Sequence, residues 1–320
     1  MNDNALGVTA GAPPGGPPGG FAGGVEEWHA VSRVLKSPGR VVRAVLDDLA
    51  TTFFPADCRA CGEPLLRAGS YPVCDDCVVR VQAQTAVLCR LCGEALDMEG
   101  VRFAGQFPAE GLLCADCRLA PPQFERAVAY AAYEDELREM LHLLKYERVR
   151  GVARPLGKML ARAVETLEGE AGTDLMVVAV PLFPAKERQR GYNQSVLVAE
   201  KALRELKRSR PGWKLRVAHG VIRRVRDTQS QFSLTARARR RNLRGAFAVD
   251  KAAMVAGREV LLVDDIYTTG STARECARAL RRAGASKVWV ATVARAQVEM
   301  VTLWGTSRTE RANVAVWDAG

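Results

Sequence analysis

The sequence predicts an α/β protein, a parallel sheet flanked by helices, with a small cysteine-rich metal module towards the N-terminus. Three observations carry this. From residue 121 onward, short apolar runs alternate with amphipathic stretches at helical spacing, the signature of a parallel sheet covered by helices. Eight of the nine cysteines fall in four Cys-x-x-Cys pairs between residues 58 and 117. The run "VLLVDDIYTTGST" at 260–272 then sets two adjacent carboxylates ahead of a turn rich in hydroxyls.

Bulk properties narrow the function. A chain of 320 residues holds one full-sized core and a smaller module, since domains commonly run to about 100–200 residues. The formal charge of +10 favours phosphate-bearing partners, whether nucleic acid, nucleotide or sugar phosphate. No uninterrupted apolar stretch approaches the roughly 18 residues that span a bilayer, and no basic segment followed by an apolar run opens the chain. A soluble, cytoplasmic protein without membrane insertion is expected.

The cysteine pairs are Cys58/Cys61, Cys74/Cys77, Cys89/Cys92 and Cys114/Cys117. Without an export signal, repeated knuckles of this spacing read as zinc ligands rather than disulfides or redox-active thiols. Two tetrahedral sites use all eight, and a closed all-thiolate site leaves no position for water, so both Zn²⁺ ions are expected to be structural. Gly62 and Gly93 follow two of the pairs and suit the tight turn around sulfur. Grouping the pairs in sequence order closes shorter loops than interleaving them and is preferred, although spacing leaves both open. Cys276 stands apart, inside a helical stretch beside Thr272, Ala273, Ala279 and Leu280, as a small buried residue.

Along the chain, residues 1–38 form a Gly/Pro-rich tail containing "GAPPGGPPGGFAGG", too poor in burial to order itself. Residues 39–120 comprise a leading helix, with apolar positions Val41, Val42, Val45, Leu46, Leu49 and Phe53 at helical spacing up to Pro55, and the metal module. "PP" at 121–122 opens the main domain, 121–297. There "FERAVAYAAY" reads as a strand, "EDELREMLHLLKYE" and "RPLGKMLARAVETL" as helices, and "LMVVAVP" as a buried strand. "QSVLVAEKALREL" is helical, "REVLLVDD" a strand that ends at the acids, "STARECARALRRAG" a helix closed by Gly284, and "KVWVATVA" the last strand. Residues 298–320 are an extension with no clear period and no assigned role.

The acid pair has three readings. A nucleotide-hydrolase strand would need G-x-x-x-x-G-K-[S/T] upstream, and "GVARPLGKM" has the wrong glycine spacing and a methionine in place of the hydroxyl. A simple cap for the following turn needs neither two acids nor four hydroxyls. A sugar-phosphate site uses nearly every polar group. Gly270 admits a close phosphate, Thr268, Thr269, Ser271 and Thr272 supply donors, and the helix starting near Thr272 adds its dipole. Asp264 and Asp265 accept from a ribose diol, with Mg²⁺ nearby.

This stretch resembles the 5-phosphoribosyl-1-pyrophosphate (PRPP) motif of type I phosphoribosyltransferases. More narrowly, the chain resembles ComF family proteins, which join a double zinc ribbon to a phosphoribosyltransferase-like domain and are named for DNA uptake in competent bacteria. The resemblance runs from about Phe53 to Arg295 through "FFPADCRACG", "LREMLHLLKYE", "VAVPLFPAKERQRGYNQS", "RVRDTQSQFSLTARARRRNLRGAF" and the acid-pair block.

Several roles follow. Lys186, Arg188 and Arg190 in "PAKERQRGYNQ" emerge at the carboxyl edge of the sheet, where ligands of open α/β folds bind; the resemblance makes this the pyrophosphate loop. It likewise implies that Thr228, Gln231 and Arg241 belong to a lid over PRPP. The reaction implied is displacement of pyrophosphate from PRPP by an unidentified acceptor, with Mg²⁺, Lys186 and Arg190 neutralising the leaving group while Asp264 and Asp265 hold the ribose. The alternative is a non-enzymatic, PRPP-responsive adaptor that binds single-stranded DNA or competence and recombination proteins, since the arginines of 223–244 suit a nucleic-acid backbone. No glutaminase domain that would supply ammonia is present in this sequence.

Overall fold

The computed structural model describes residues 56–65, 72–96, 111–226 and 243–297. The expected tail, the helix around 40–54, the lid residues Thr228, Gln231 and Arg241, and the extension 298–320 lie outside them.

The cysteine module is built from one unit used twice, a duplication that "DCRACGEPL" (57–65) and "LCRLCGEAL" (88–96) also show in sequence. In the first, Gly62 N–H donates to Cys58 O and Cys58 N–H to Glu63 O; in the second, Gly93 N–H donates to Cys89 O and Cys89 N–H to Glu94 O. Both glycines sit at positive φ, +78° and +69°, which lets the chain turn back beneath the sulfurs. Short bridges, Asp57 with Pro64 and Leu88 with Ala95, close each loop. The second cysteine pair of each unit opens a short helix, α1 (Asp75–Arg80) after Cys74 and α2 (Ala115–Leu119) after Cys114.

The main sheet has five parallel strands in the order β1, β7, β6, β2, β3: Arg126–Ala132, Lys287–Arg295, Glu259–Tyr267, Met176–Ala179 and Arg216–Val217. Strands buried on both faces need continuous apolar runs, and β6 and β7 have them: Val260 to Val263 and Val288 to Ala291 are essentially inaccessible, Trp289 nearly so. The outer edge of β1 is not left bare. Ala127 N–H donates to Leu91 O at 2.7 Å and Gln84 N–H to Tyr130 O at 2.9 Å, so the metal module covers an edge that would otherwise invite pairing with another chain.

Helices α3 (Asp135–Lys145) and α4 (Ala153–Glu165) bury stripes at helical spacing, Leu137, Met140, Leu141 and Leu144 in the first and Leu156, Met159, Leu160, Ala163 and Val164 in the second. α4 packs on α6 (Gln194–Ser209), with Gly157 at the crossing. A Cβ there would stand 2.3 Å from Lys201 Cβ and 3.0 Å from Ala202 N, so only glycine permits the approach. α8 (Ser271–Arg282) lies against β6 and β7 and buries Ala273, Cys276, Ala277 and Leu280.

The structure departs from the sequence expectation at β6. The strand does not stop at the acids but runs on through Tyr267, because β7 keeps pairing with it: Asp264 opposite Thr292, Ile266 opposite Ala294, Tyr267 opposite Arg295. The periodicity did not give β3, α5 (Pro184–Arg190), α7 (Ala252–Val255) or the antiparallel pair β4 (Ile222–Arg224) with β5 (Phe247–Val249), which brackets residues 227–242.

Candidate functional site

The acid pair is held by its own strand and by two partners from elsewhere. Asp264 Oδ1 accepts from Ser195 Oγ and from Asp265 N–H, both at 2.9 Å. Asp265 Oδ1 accepts from Ile266 N–H at 2.9 Å, while its Oδ2 faces the Lys145 ammonium at 2.8 Å, an ion pair rather than a directed hydrogen bond. Burial, and then the neighbouring Asp265 carboxylate, push the Asp264 carboxyl up to about 8. Burial alone would lower the Lys145 ammonium, but Asp265 and Asp264 hold it above its ordinary range. Asp264 thus takes up a proton more readily than an exposed carboxyl, and Asp265 faces a tethered cation.

The turn that follows is shaped by Gly270, at φ +70° directly ahead of α8. A Cβ there would lie 2.1 Å from the Tyr267 hydroxyl, so glycine is required for space as well as for conformation. Thr269 Oγ1 and Ser271 Oγ are 2.8 Å apart, and Ser271 begins the helix. Thr268, Gly270 and Thr272 line a small cleft together with Asp264. Hydroxyls, backbone amides of a helix start and two acids thus share one edge of the sheet, a combination that fits a phosphorylated polyol.

The basic loop leaves the sheet at the level of the acids, since Ala179 pairs with Val263 and Val180 N–H donates to Val263 O at 2.8 Å. Its base is pinned by Asn193, whose Nδ2 donates to Val180 O at 2.9 Å and whose Oδ1 caps α6 by accepting from Ser195 N–H at 2.9 Å. Lys186 and Arg188 stand exposed on α5, and Arg190 donates to Gln194 Oε1 at 2.5 Å. The chain after α3 wraps this loop. Arg148, at φ +59°, donates to Gln189 O at 2.6 Å; Arg150 donates to Gly191 O at 3.3 Å and stacks 4.7 Å from the Tyr192 ring centre. The Tyr192 hydroxyl donates to Leu144 O.

Two groups of four sulfurs converge in sequence order, Cys58, Cys61, Cys74 and Cys77, then Cys89, Cys92, Cys114 and Cys117, with the ligand atoms of each within 4.8 Å of one another. None of the nine cysteines is in a disulfide. Either group can hold a metal ion. Burial raises Cys58, but amides of Cys74, Cys61 and Ala60 outweigh it and bring the thiol down to about 7. Hydrogen bonds from Cys117 and Cys92 draw Cys89 far below the thiol range. Cys276 is fully buried and its thiol is pushed well up by that burial.

A family model described as phosphoribosyl transferase domain matches residues 193–307. The DNA utilization protein YhgH of Escherichia coli is 34% identical over 242 residues, spanning 74% of this chain and 95% of the relative. Competence protein F of Haemophilus influenzae is 31% identical over 187 residues, 57% of this chain and 78% of that one. This chain belongs to the ComF family. Competence protein ComFC of Bacillus subtilis, also of the family, is 26% identical over 219 residues, 66% of this chain and 79% of the relative.

Within this ComF-family chain, sequence reasoning missed Lys145, Ser195, Arg148 and Arg150 at the site. "LKYERVR" carries a lysine in the last turn of an amphipathic helix and two arginines just past it, and "NQS" opens another helix; both are cues to a helix end facing the sheet edge, but neither says which strand it meets. Among the described residues, no helix is long and apolar enough to cross a membrane.

Proposed function

We propose that the chain binds PRPP with Mg²⁺ at the Asp264/Asp265 edge and catalyses displacement of its pyrophosphate by an acceptor. The observation that carries this is the join of the acid pair to the Thr268–Thr272 turn at the start of α8. The turn takes the 5-phosphate, Asp264 and Asp265 accept from the ribose hydroxyls, and Lys186, Arg188 and Arg190 take the pyrophosphate, assisted by Mg²⁺. Thr228, Gln231 and Arg241 serve as the lid. Each four-cysteine cluster holds a structural Zn²⁺, for which four thiolates at these separations are a fitting donor set. The reading divides the chain into a tail (1–38), a leading helix with the ribbon (39–120), a transferase domain (121–297) and an extension (298–320), acting in the cytoplasm.

Charge supports the transferase role. Leaving-group displacement needs cations near the departing pyrophosphate and a sugar held in place, and the loop between β2 and α6 carries Arg190 and is gripped by Arg148 and Arg150, which donate to Gln189 O and Gly191 O. The names of the relatives support a link to DNA uptake or use. A second reading, a PRPP-responsive adaptor for single-stranded DNA or competence and recombination proteins, is favoured by the metal module itself, a rigid platform that a minimal transferase does not need.

The test is release of pyrophosphate from PRPP and Mg²⁺ across ammonia, purine and pyrimidine acceptors, wild type against the Asp264→Asn/Asp265→Asn double variant. Turnover by the wild type alone supports the transferase. Binding of PRPP with no release on any acceptor favours the adaptor, and absence of both binding and release rejects the two together.

A further inference from the structure

The second cysteine cluster is joined to the phosphate turn by two arginines. α8 springs directly from that turn, and its fourth residue, Arg274, donates through Nη2 to Cys117 Sγ at 3.5 Å and through Nη1 to Ala120 O at 2.5 Å. At the end of β7, Arg295 is only 2% exposed; it donates to Cys92 Sγ at 3.7 Å and pairs with Glu94. Its guanidinium lies 4.4 Å over the Tyr267 ring, and the Tyr267 hydroxyl fills the space beside Gly270. Thiols, arginines, tyrosine and phosphate turn form one unbroken path of contacts.

Packing says the same. Cys89, Cys92 and Cys117 lie in one buried cluster with Phe124, Val260, Leu262, Tyr267, Ala273 and Leu280, so this half of the ribbon is part of the main core. The first cluster differs. Arg59 and Arg80 beside it pair with Glu147 and Glu136 on the surface of the α3 region, and neither reaches the phosphate turn.

The electrostatics give the path a purpose. Four thiolates around a divalent cation leave a net double negative charge, towards which Arg274 and Arg295 both direct a guanidinium, Arg295 while also paired with Glu94. The ion fixes the sulfurs to which both guanidinium groups donate, so its loss frees Cys117 and Cys92 to move and Arg274 and Arg295 with them. The segments bearing them, the first turn of α8 and the end of β7 beside Tyr267, frame the turn where phosphate binds.

We propose that Arg274 and Arg295 are positioning residues through which a metal ion at Cys89, Cys92, Cys114 and Cys117 sets the phosphate affinity of the Thr268–Thr272 turn. By linkage, a bound sugar phosphate tightens the hold on that ion by the same factor. This rests on the phosphoribosyl site proposed above and adds its regulation by metal supply.

The test uses the full chain loaded with Co²⁺ at both clusters, titrated with ribose 5-phosphate while the thiolate-to-metal and d–d absorption bands are recorded. A shift of the bands is expected in the wild type and its loss in Arg274→Met. In a companion chelator experiment, one of the two phases of ion release is expected to slow about fivefold or more when ribose 5-phosphate is present, and the other to stay unchanged. The wild-type shift and release need no variant, so a variant that fails to fold leaves the test intact. Calorimetric binding of ribose 5-phosphate with unchanged bands and release overturns the coupling and leaves the site assignment standing. A band shift retained in Arg274→Met overturns the role of that arginine. No binding of ribose 5-phosphate or PRPP by the wild type overturns the site and the coupling together.

Discussion

The Lys145 ammonium lies 2.8 Å from Asp265 Oδ2, at the end of a helix that the sheet topology brings back over the acid pair. Two adjacent carboxylates this deeply placed would repel each other and forfeit their hydration. The upward shift of the Asp264 carboxyl and the Lys145 cation set against Asp265 both relieve that repulsion.

Removal of Lys145 exposes that balance. The side chains of Lys145 and Asp265 are 17% and 5% exposed, and deleting one partner of a buried pair costs about 3 kcal/mol or more because the other charge is left behind. Lys145→Met is expected to lower the urea midpoint accordingly, and Lys145→Met combined with Asp265→Asn to recover much of the loss.

The stability should also depend on pH through Asp264. Its carboxyl is raised to about 8 in the folded chain from about 3.9 when unfolded, so the folded state holds one more proton between these values. The contribution is fully present below the unfolded value and is lost as pH rises towards 8, at up to about 1.4 kcal/mol per pH unit. Urea titrations from acid to mildly alkaline pH should show the wild type losing stability relative to Asp264→Asn across this window.

Gly270→Ala tests the turn. The methyl must enter space held by the Tyr267 hydroxyl, 2.1 Å from the Cβ position, at a φ of +70°. Loss of even about 1.4 kcal/mol of phosphate contact is tenfold in affinity, so calorimetry with ribose 5-phosphate should register at least that weakening.

Gly157→Ala tests the scaffold away from the chemistry. With Lys201 Cβ at 2.3 Å and Ala202 N at 3.0 Å from the new methyl, α4 and α6 must move apart. Overpacking of this kind costs about 1–3 kcal/mol, and a lowered Tm is the expected readout.

The parallel sheet was legible because its signals are local and repeated. Val260 to Val263 is an apolar run long enough to read as a strand, and Leu137, Met140, Leu141 and Leu144 mark one face of a helix. β3, β4 and β5 span only two or three residues each, too few for any period to register. The acid pair and its turn stood out in the sequence because no ordinary cap needs so many polar groups, and the structure gathers them at one sheet edge. The placement of the pair inside β6 was not legible, because the extra length comes from pairing with β7, a long-range contact. Lys145 escaped for the same reason: at the end of an amphipathic helix a lysine is indistinguishable from a solvated one until the chain folds it onto Asp265. The contacts from Arg274 to Cys117 and from Arg295 to Cys92 join segments far apart in sequence and leave no local trace in either.

The measurement that bears most directly on the phosphoribosyl site is isothermal calorimetry of the metal-loaded protein with PRPP and Mg²⁺, wild type beside the Asp264→Asn/Asp265→Asn double variant. Saturable binding by the wild type that the double variant loses is the expected result. A wild type that binds no PRPP, or a double variant that binds it equally well, contradicts the assignment.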